Sequence, residues 1–213
     1  MNVSSQPASI DYSKARRSIT RRDPILGDVI RSHGRCGLID AQHTDPFQAL
    51  VHAIVSQQLS TKAAATIAGR VDTLLGGLPT PARVRAVSDG QLRTAGLSGQ
   101  KVAYLRDLCR RLDDGSLRLD VLNDMSDEAV IEALTSVKGI GRWTAEMFLI
   151  FRLHRPDVLP VGDLGIVKAI KTVYGLRTLP TPERMLRLGE AWRPYRSVAS
   201  WYLWASLKNT TKK

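Results

Sequence analysis

The sequence predicts an all-α fold of about ten helices, in line with the usual length of helices in globular proteins. Apolar residues recur three and four positions apart, the spacing of one helix face, as in Val102, Leu105 and Leu108. Several apolar stretches directly follow a Ser, Thr or Asp, in places with a proline behind it, and helices commonly begin this way. No segment is assigned as a strand.

Start and stop residues divide the first part of the chain into helices. Asp-Pro pairs at residues 23–24 and 45–46 each begin one, because the aspartate caps the helix and proline suits its first turn. Ser60 begins the next helix, which is rich in small residues. The Gly-Gly-Leu-Pro stretch at 76–79 ends it.

The same signals delimit the later helices. These follow in chain order over residues 81–88, 88–96, 99–115, 126–136, 141–151, 164–175, 181–192 and 194–207. Ser126 and Thr181 are predicted caps, and Pro194 is predicted to start the last helix.

Basic residues outnumber acidic ones in this chain. Lysine and arginine total 31 against 20 aspartate and glutamate residues, which gives a formal net charge of +11 over 213 residues. Such a balance favours a polyanionic partner, although a merely basic surface has the same charge. Residues 1–22 are predicted to form a basic mobile N-terminal arm near a phosphate backbone, ahead of a helical body over residues 23–213.

The two cysteines, Cys36 and Cys109, are too few for an iron–sulfur cluster or a cysteine-rich zinc site. A disulfide framework is equally unexpected, which fits a reducing compartment. The apolar run at 147–151 is far too short to cross a bilayer, and the N-terminus has no apolar stretch for a signal peptide. The sequence therefore predicts no membrane partner.

Two glycines around one isoleucine, at residues 139–141, interrupt a helical pattern that resumes at once. Glycine permits positive φ and leaves the turn without side chains, so the first backbone N–H groups of the next helix lie open to a phosphate. Ile140 is expected to point inward, and Lys138 adds charge beside the phosphate. The predicted phosphate-binding residues are Lys138, Gly139, Gly141, Arg142 and Thr144. The alternative is a helix C-cap with a tight turn and no ligand.

Asp163 follows a link that contains proline and glycine, and it precedes an apolar helix. Pro160 keeps the residue before it out of the helical conformation, so the link is expected to be extended. Backbone donors and the helix dipole stabilise the charged form of a carboxylate at a helix N-terminus. Taken alone, Asp163 would be interpreted as only an N-cap, worth about 1 kcal/mol.

Four segments together resemble the helix-hairpin-helix (HhH-GPD) superfamily of DNA glycosylases, in its 3-methyladenine DNA glycosylase II branch. They are SQQLSTKAA at 56–64, VKGIGRWTAEMF at 137–148, LPVGDLG at 159–165 and WRPYRSVASWYLW at 192–204. The resemblance covers roughly residues 45–207. Larger members carry an additional N-terminal β-containing domain, for which the residues before Asp45 are too few and too polar. A compact member is therefore implied.

The resemblance implies two helical lobes with the active-site cleft between them. Lobe A spans about residues 45–155 and contains the hairpin, and lobe B combines residues 23–44 with 156–213. Enzymes of this kind flip a damaged nucleotide out of double-stranded DNA and break its N-glycosidic bond. The branch removes alkylated purines of the 3-methyladenine and 7-methylguanine type, and we expect a monomer.

By this resemblance Asp163 is the catalytic residue, which stabilises the oxocarbenium-like sugar, activates water, or does both. Bifunctional members of the superfamily place a lysine two residues after the second glycine of the hairpin, where its amine forms a Schiff base. Trp143 occupies that position in this chain, and Lys138 does not match it. The resemblance thus implies a monofunctional hydrolase that leaves an abasic site.

The resemblance also implies which residues hold the flipped base and the duplex. Trp143, Trp204 and Met147 are the expected base pocket, because a tryptophan face attracts a cationic alkylpurine by about 0.5–2 kcal/mol. Core packing is an equal alternative for Trp204. Trp192 and Trp201 are assigned to the core.

The turn within SQQLS resembles the loop that carries the wedge, the side chain that fills the space left in the duplex. Gln58 is the predicted wedge, with Gln57 and Leu59 as its neighbours. The alternative is that these residues only cap and pack the turn.

A structural Na⁺ or K⁺ at the hairpin is the only ion that the resemblance implies, and the chemistry requires no cofactor. Backbone carbonyls of Thr135, Val137 and Ile140 would hold the cation and bridge it to a phosphate. The four histidines show no ligand spacing, and His52 is expected to be a packed or rim residue.

Three other functions stay open from the sequence. A non-catalytic helix-hairpin-helix DNA-binding module explains the charge and the hairpin but not Asp163. A bifunctional glycosylase/lyase is disfavoured by Trp143 and by the lack of four clustered cysteines. The third is a helical protein that binds only other proteins. We expect the protein in the cytoplasm or nucleoid of a bacterium, or in the nucleus of a eukaryote.

Overall fold

The computed structural model describes residues 10–40 and 45–209, and the regular elements within those residues are all helical. The absence of strands there confirms the predicted all-α class. In chain order the α-helices are α1 (Tyr12–Arg22), α2 (Pro24–His33), α3 (Pro46–Ser56), α4 (Thr61–Leu74), α5 (Pro81–Ala86), α6 (Asp89–Thr94), α7 (Gly99–Asp113), α8 (Asp127–Thr135), α9 (Arg142–Phe151), α10 (Leu164–Val173), α11 (Pro182–Gly189) and α12 (Arg196–Asn209). Across the described ranges, each helix is too short or too polar to cross a membrane.

The chain divides into two compact units, one of residues 43–148 and one of residues 1–42 with 149–213. The limits predicted from the sequence are 45–155 for the first and 23–44 with 156–213 for the second. Short 3-10 turns accompany the α-helices in both units, at Gly37–Asp40, Leu122–Asp124 and Glu190–Trp192.

In the unit of residues 43–148, α7 packs against α3, α5 and α6. Val102, Leu105 and Leu108 are buried, so the apolar face that the sequence predicts is the face that forms the core. An adjoining edge of α7 carries Lys101, Tyr104 and Asp107, which contact the turn after α3 and the glycine hairpin.

In the other unit, α12 packs against α1, α2 and α10. The carboxylate of Asp23, only 8% exposed, ties three elements together. It caps α2 at the N–H of Leu26, accepts the Nε1–H of Trp192 at 2.8 Å, and accepts the hydroxyl of Tyr174. Burial and the bond to Asp23 raise the pKa of Tyr174 far above its ordinary value. Trp192 is fully buried, as predicted.

The predicted helix caps are confirmed. The side chain of each accepts a backbone N–H from the first turn of its helix, at Asp23, Asp45, Ser60, Ser126, Asp163 and Thr181. The prediction for Pro194 was wrong by two residues, because α12 begins at Arg196. Pro194 lies in the preceding turn, where the N–H of Tyr195 donates to the carbonyl of Trp192 at 2.8 Å.

Residues 12–22 are not a mobile arm, which corrects that part of the prediction for residues 1–22. They form α1, with Asp11 as its cap and with Ala15 and Ile19 at most 1% exposed. These apolar residues, one helical turn apart, pack α1 onto α2 in spite of the many basic residues between them. Residues 1–9 lie outside the described part of the chain.

Candidate active site and DNA-binding hairpin

Asp163 stands at the start of α10 in extended backbone, with φ −77° and ψ 117°. Its Oδ1 accepts the N–H of Ile166 at 2.7 Å and the Nε1–H of Trp204 at 2.9 Å. Two donors on one carboxylate oxygen fix the orientation of the side chain, which is half-buried. The arrangement places a negative charge where a positively charged sugar could be stabilised.

Gly165 explains how the indole of Trp204 comes this close to the helix start. A Cβ at Gly165 would lie 2.9 Å from Oδ1 of Asp163 and 3.2 Å from Cδ1 of Trp204. Any larger residue would therefore push the indole away from the carboxylate. The sequence predicts Trp204 as part of the base pocket, whereas the structure shows its indole N–H bound to the candidate catalytic group.

Phe151 is a member of this site that the sequence reasoning missed. Its ring stacks on that of Trp204, with centroids 5.8 Å apart and an interplanar angle of 28°. Phe151 is 39% exposed although it ends an apolar run. Its spacing could have indicated it, because Phe151 lies four residues after Met147, which itself lies four residues after Trp143, so the three share one helix face.

The link before Asp163 is held by α12, the helix that carries Trp204. The hydroxyl of Ser197 donates to the carbonyl of Arg155 at 2.6 Å and accepts the N–H of Val158 at 3.0 Å. Ser197 is fully buried. One helix therefore positions both the backbone that leads to Asp163 and the donor that orients its carboxylate.

The glycine hairpin joins α8 to α9 in the unit of residues 43–148. Gly139 has a φ of +80°, and a Cβ there would lie 2.1 Å from the Tyr104 ring. Glycine is required for both reasons. Val137 and Ile140 are 1% and 4% exposed, which confirms that Ile140 points inward. Lys138 is exposed at the surface of the turn.

The predicted phosphate-binding residues of the hairpin differ in their surroundings. Arg142 donates to Glu128 at 2.6 and 3.2 Å and to Glu146 at 3.1 Å, and these bonds, led by that to Glu128, raise its pKa. A phosphate would have to compete with both carboxylates for this side chain. The side chain of Thr144 is only 8% exposed and is therefore poorly placed to bind a phosphate. Its backbone N–H, in the first turn of α9, is the group that could still do so.

Below the hairpin, Asp107 on α7 accepts the backbone N–H of Lys138 at 2.9 Å. Arg110 and Arg111 also donate to its carboxylate, at 2.8 and 3.0 Å. Burial acts to raise the pKa of Asp107, but the bonds from Lys138, Arg110 and Arg111 outweigh it and hold the pKa well below its usual range. A charged and buried carboxylate therefore fixes the hairpin from beneath.

Two of the predicted base-pocket residues lie on α9, directly after the hairpin. Trp143 is 50% exposed and Met147 is half-buried. Their spacing of four residues places them on one face of the helix. A half-exposed indole suits stacking on a cationic base. Of the residues assigned to the core, Trp201 is half-buried and packs edge-to-face on Tyr202.

The predicted wedge residues lie in the turn between α3 and α4. Gln58 is exposed and has a φ of +57°, which is uncommon for a residue other than glycine. Leu59 is 36% exposed. The side-chain amide of Gln57 donates to the carbonyl of Gly139 at 2.7 Å, and this bond to the hairpin argues against Gln57 as the wedge.

A cation at the hairpin is compatible with the backbone there and stays a prediction. The carbonyl of Val137 accepts the N–H of Ile140 at 3.1 Å, and a carbonyl oxygen keeps a second lone pair for an ion. Within residues 10–40 and 45–209, no three His, Cys, Asp or Glu side chains lie close enough to hold a metal. His52 is one-third exposed beside Asp72 on α4, as expected for a rim residue.

A family model for base excision DNA repair proteins matches residues 51–194, which include the turn after α3, the hairpin and Asp163. This chain belongs to the HhH-GPD superfamily. Within the superfamily, DNA-3-methyladenine glycosylase 1 of Schizosaccharomyces pombe is 37% identical over 167 residues, which are 77% of this chain and 73% of that protein.

Solved structures of superfamily members agree with the fold. A DNA-3-methyladenine glycosidase from Bacillus halodurans aligns with a TM-score of 0.83 and 40% identity, over 93% of this chain and 91% of that one. The 3-methyladenine DNA glycosylase of S. pombe, solved in complex with abasic DNA, aligns with a TM-score of 0.80 and 33% identity, over 92% and 97% of the two chains.

Proposed function

We propose that this protein is a monofunctional DNA glycosylase that releases alkylated purines from double-stranded DNA and leaves an abasic site. The observation that carries the proposal is the carboxylate of Asp163, fixed at a helix start by the N–H groups of Ile166 and Trp204. A DNA-binding module has no need of an acidic group oriented in this way. Superfamily membership and the names of the relatives support the same reaction.

The chemistry follows from the charge of the leaving group. A purine alkylated at N3 or N7 carries a positive charge, so the bond from its N9 to C1′ breaks with the electron pair going to the base, which leaves neutral. Positive charge then develops on the sugar, where the fixed carboxylate of Asp163 stabilises it. Water adds to C1′ and loses a proton, which gives the abasic sugar.

The hairpin supplies the binding part of the proposal. Exposed Lys138 and the start of α9 would hold a phosphate, while half-exposed Trp143 would stack on the flipped cationic base. Gln58, exposed in its turn, would fill the space in the duplex. The hydrolytic route is favoured because Trp143 stands where bifunctional members carry their lysine.

Water is the nucleophile and the leaving group is activated by its own charge, so a chelator of divalent metals should leave the rate unchanged. We propose that one copy of the chain suffices for activity, in the cytoplasm or nucleoid of a bacterium or in the nucleus of a eukaryote.

The test is release of the base from a duplex with a single 7-methylguanine, beside the same duplex without the lesion. The proposal expects free 7-methylguanine and an abasic strand from the first duplex only, and no covalent adduct on borohydride treatment. A borohydride-trapped adduct would show a lyase. No release from a panel of alkylated and deaminated bases, with DNA still bound, would show a binding module.

A further inference from the structure

Lys101 on α7 binds the end of α3. Its ammonium donates to the carbonyl of Val55 at 2.7 Å and to that of Gln57 at 2.8 Å. The last carbonyls of a helix have no partner within the helix and carry the negative end of its dipole. Burial lowers the pKa of Lys101, as expected for an ammonium withdrawn from water. Lys101 therefore fixes the point at which the chain leaves α3 and enters the turn with Gln58.

The same turn is bonded to the glycine hairpin. The side-chain amide of Gln57, whose backbone carbonyl binds Lys101, donates to the carbonyl of Gly139 at 2.7 Å. This bond joins residues 82 positions apart in sequence. Gln58, the next residue, is held in the left-handed region at φ +57° with its side chain exposed. The direction of Gln58 is thus set by the two bonds of Gln57, one from its side chain to Gly139 and one from Lys101 to its carbonyl.

The hairpin is held by α7 as well. Tyr104 lies against Gly139, and Asp107 accepts the N–H of Lys138 at 2.9 Å. Lys101, Tyr104 and Asp107 follow each other at intervals of three residues, which places them along one edge of α7. One edge of one helix therefore contacts both the turn after α3 and the hairpin.

We propose that Lys101, Gln57, Tyr104 and Asp107 form a clamp that holds the Gln58 turn at a fixed separation from the phosphate-binding hairpin. The clamp rests on the proposed function and adds to it a role for residues that do not touch DNA. Lys101 and Gln57 are positioning residues. When the hairpin binds a phosphate, the clamp sets how many nucleotides away the wedge enters the duplex.

The clamp makes a specific prediction about which DNA is affected. A wedge is needed when a nucleotide leaves a paired stack, because the space behind it must be filled. It is not needed when the nucleotide is an unpaired bulge, since no partner base is left behind. Undamaged DNA, bound mainly through charges on the surface, does not depend on the wedge either.

The experiment compares Lys101→Met and Gln57→Glu with the wild type in binding to three duplexes. One is undamaged, one carries a stable tetrahydrofuran abasic analogue opposite a base, and one carries the analogue as a bulge. Lys171→Met on α10 is the matched control, because it removes another half-buried lysine, one that the clamp does not include. Gln57→Glu replaces the amide donor at a partly exposed position, so its folding does not depend on a buried charge.

Lys101→Met is expected to weaken binding of the paired analogue by about 10-fold to 100-fold, and Gln57→Glu should act in the same direction. In Lys101→Met, binding of the undamaged duplex and of the bulged analogue should change by less than about 3-fold. Gln57→Glu adds a negative charge that weakens all DNA binding, so its loss on the paired analogue should exceed its loss on the other two duplexes. Lys101→Arg, which restores a cation, should recover part of the loss.

Equal losses on all three duplexes, or no loss on the paired analogue in either variant, would overturn the clamp. These readouts need no catalysis. A wild type that prefers the paired analogue but releases no base would refute the proposed function alone.

Discussion

The turn that ends at Asp163 and the glycine hairpin at residues 139–141 both lead into the N-terminus of a helix, yet they are built in opposite ways. At α10 the protein fills the helix start with its own anion, since Asp163 accepts the N–H of Ile166. At α9 the residue before the helix is Gly141, which has no side chain with which to cap it. One helix start is capped by a protein carboxylate, for which we propose a role in the reaction, and the other has a glycine in that place, where we propose that a phosphate binds. Binding and catalysis should therefore be separable by mutation.

The largest expected effect is a loss of stability when the backbone of the glycine hairpin is changed. Gly139→Ala should lower the free energy of unfolding by about 3 kcal/mol, because it places a Cβ at positive φ and into the Tyr104 ring. Urea unfolding would measure it. Gly141→Ala is the control, since its Cβ would meet open space, and it should change stability little. Adding Tyr104→Ala to Gly139→Ala should recover part of the loss. Equal stability of the two single variants would refute the role of Gly139.

The buried carboxylate below the hairpin comes next. Asp107→Asn should cost about 2 kcal/mol of stability at pH 7, because the charged bonds from Arg110 and Arg111 are weakened. The pKa of Asp107 is lowered in the folded state. Its charge therefore contributes stability above the unfolded value of about 4, and that contribution is lost as the pH falls below it.

The measurement for Asp107 is urea unfolding of both proteins between pH 7 and pH 3. The difference in stability should shrink as the pH falls. Asp120→Asn, at an exposed ion pair with Arg118, should give no comparable difference at any pH. A gap between wild type and Asp107→Asn that stays constant with pH would contradict the assignment.

At Asp163, Trp204→Phe tests the indole N–H and keeps an aromatic ring against Phe151. Loss of a hydrogen bond to a carboxylate should slow single-turnover base release by about 10-fold, with unchanged affinity for abasic DNA. Trp201→Phe is the control on the same helix, because Trp201 packs against Gly37 and Tyr202 and not on Asp163. Equal rates for the two variants would show that the N–H has no part in the reaction.

The smallest effect concerns charge at the hairpin. Lys138→Gln should reduce the slope of log affinity against log salt concentration by about 1, the value for one lost phosphate contact. Arg142→Gln should change the slope less, because Arg142 is already paired with Glu128 and Glu146. Titration of an undamaged duplex over a range of salt concentrations would compare them. A larger change for Arg142→Gln would mean that the paired arginine, and not the exposed lysine, is the main phosphate contact.

Short-range signals explain why much of this could be predicted from the sequence. The caps at Asp163 and Ser126 depend on residues three positions on, and the hairpin on two glycines around one apolar residue. Such features are encoded locally, so propensity and spacing are enough to find them. The assignment of Asp163 to catalysis came from the resemblance of four segments and not from any local rule.

Long-range partners are what the sequence could not provide. The donor to Asp163 is 41 positions away at Trp204, and the acceptor below Lys138 is 31 positions away at Asp107. Both depend on how helices pack, which no local pattern specifies. The N-terminal helix α1 was missed for a related reason, because two apolar residues, Ala15 and Ile19, among many basic ones become significant only when α2 lies beside them.

The most direct test of the account is single-turnover release of 7-methylguanine by Asp163→Asn, measured beside its affinity for abasic DNA. Asparagine caps a helix about as well as aspartate, so α10 should be preserved while the charge is lost. If Asp163 stabilises the sugar, release should be slowed by about 100-fold or more, with affinity unchanged within a few fold. Release at the wild-type rate by a correctly folded Asp163→Asn protein would contradict it.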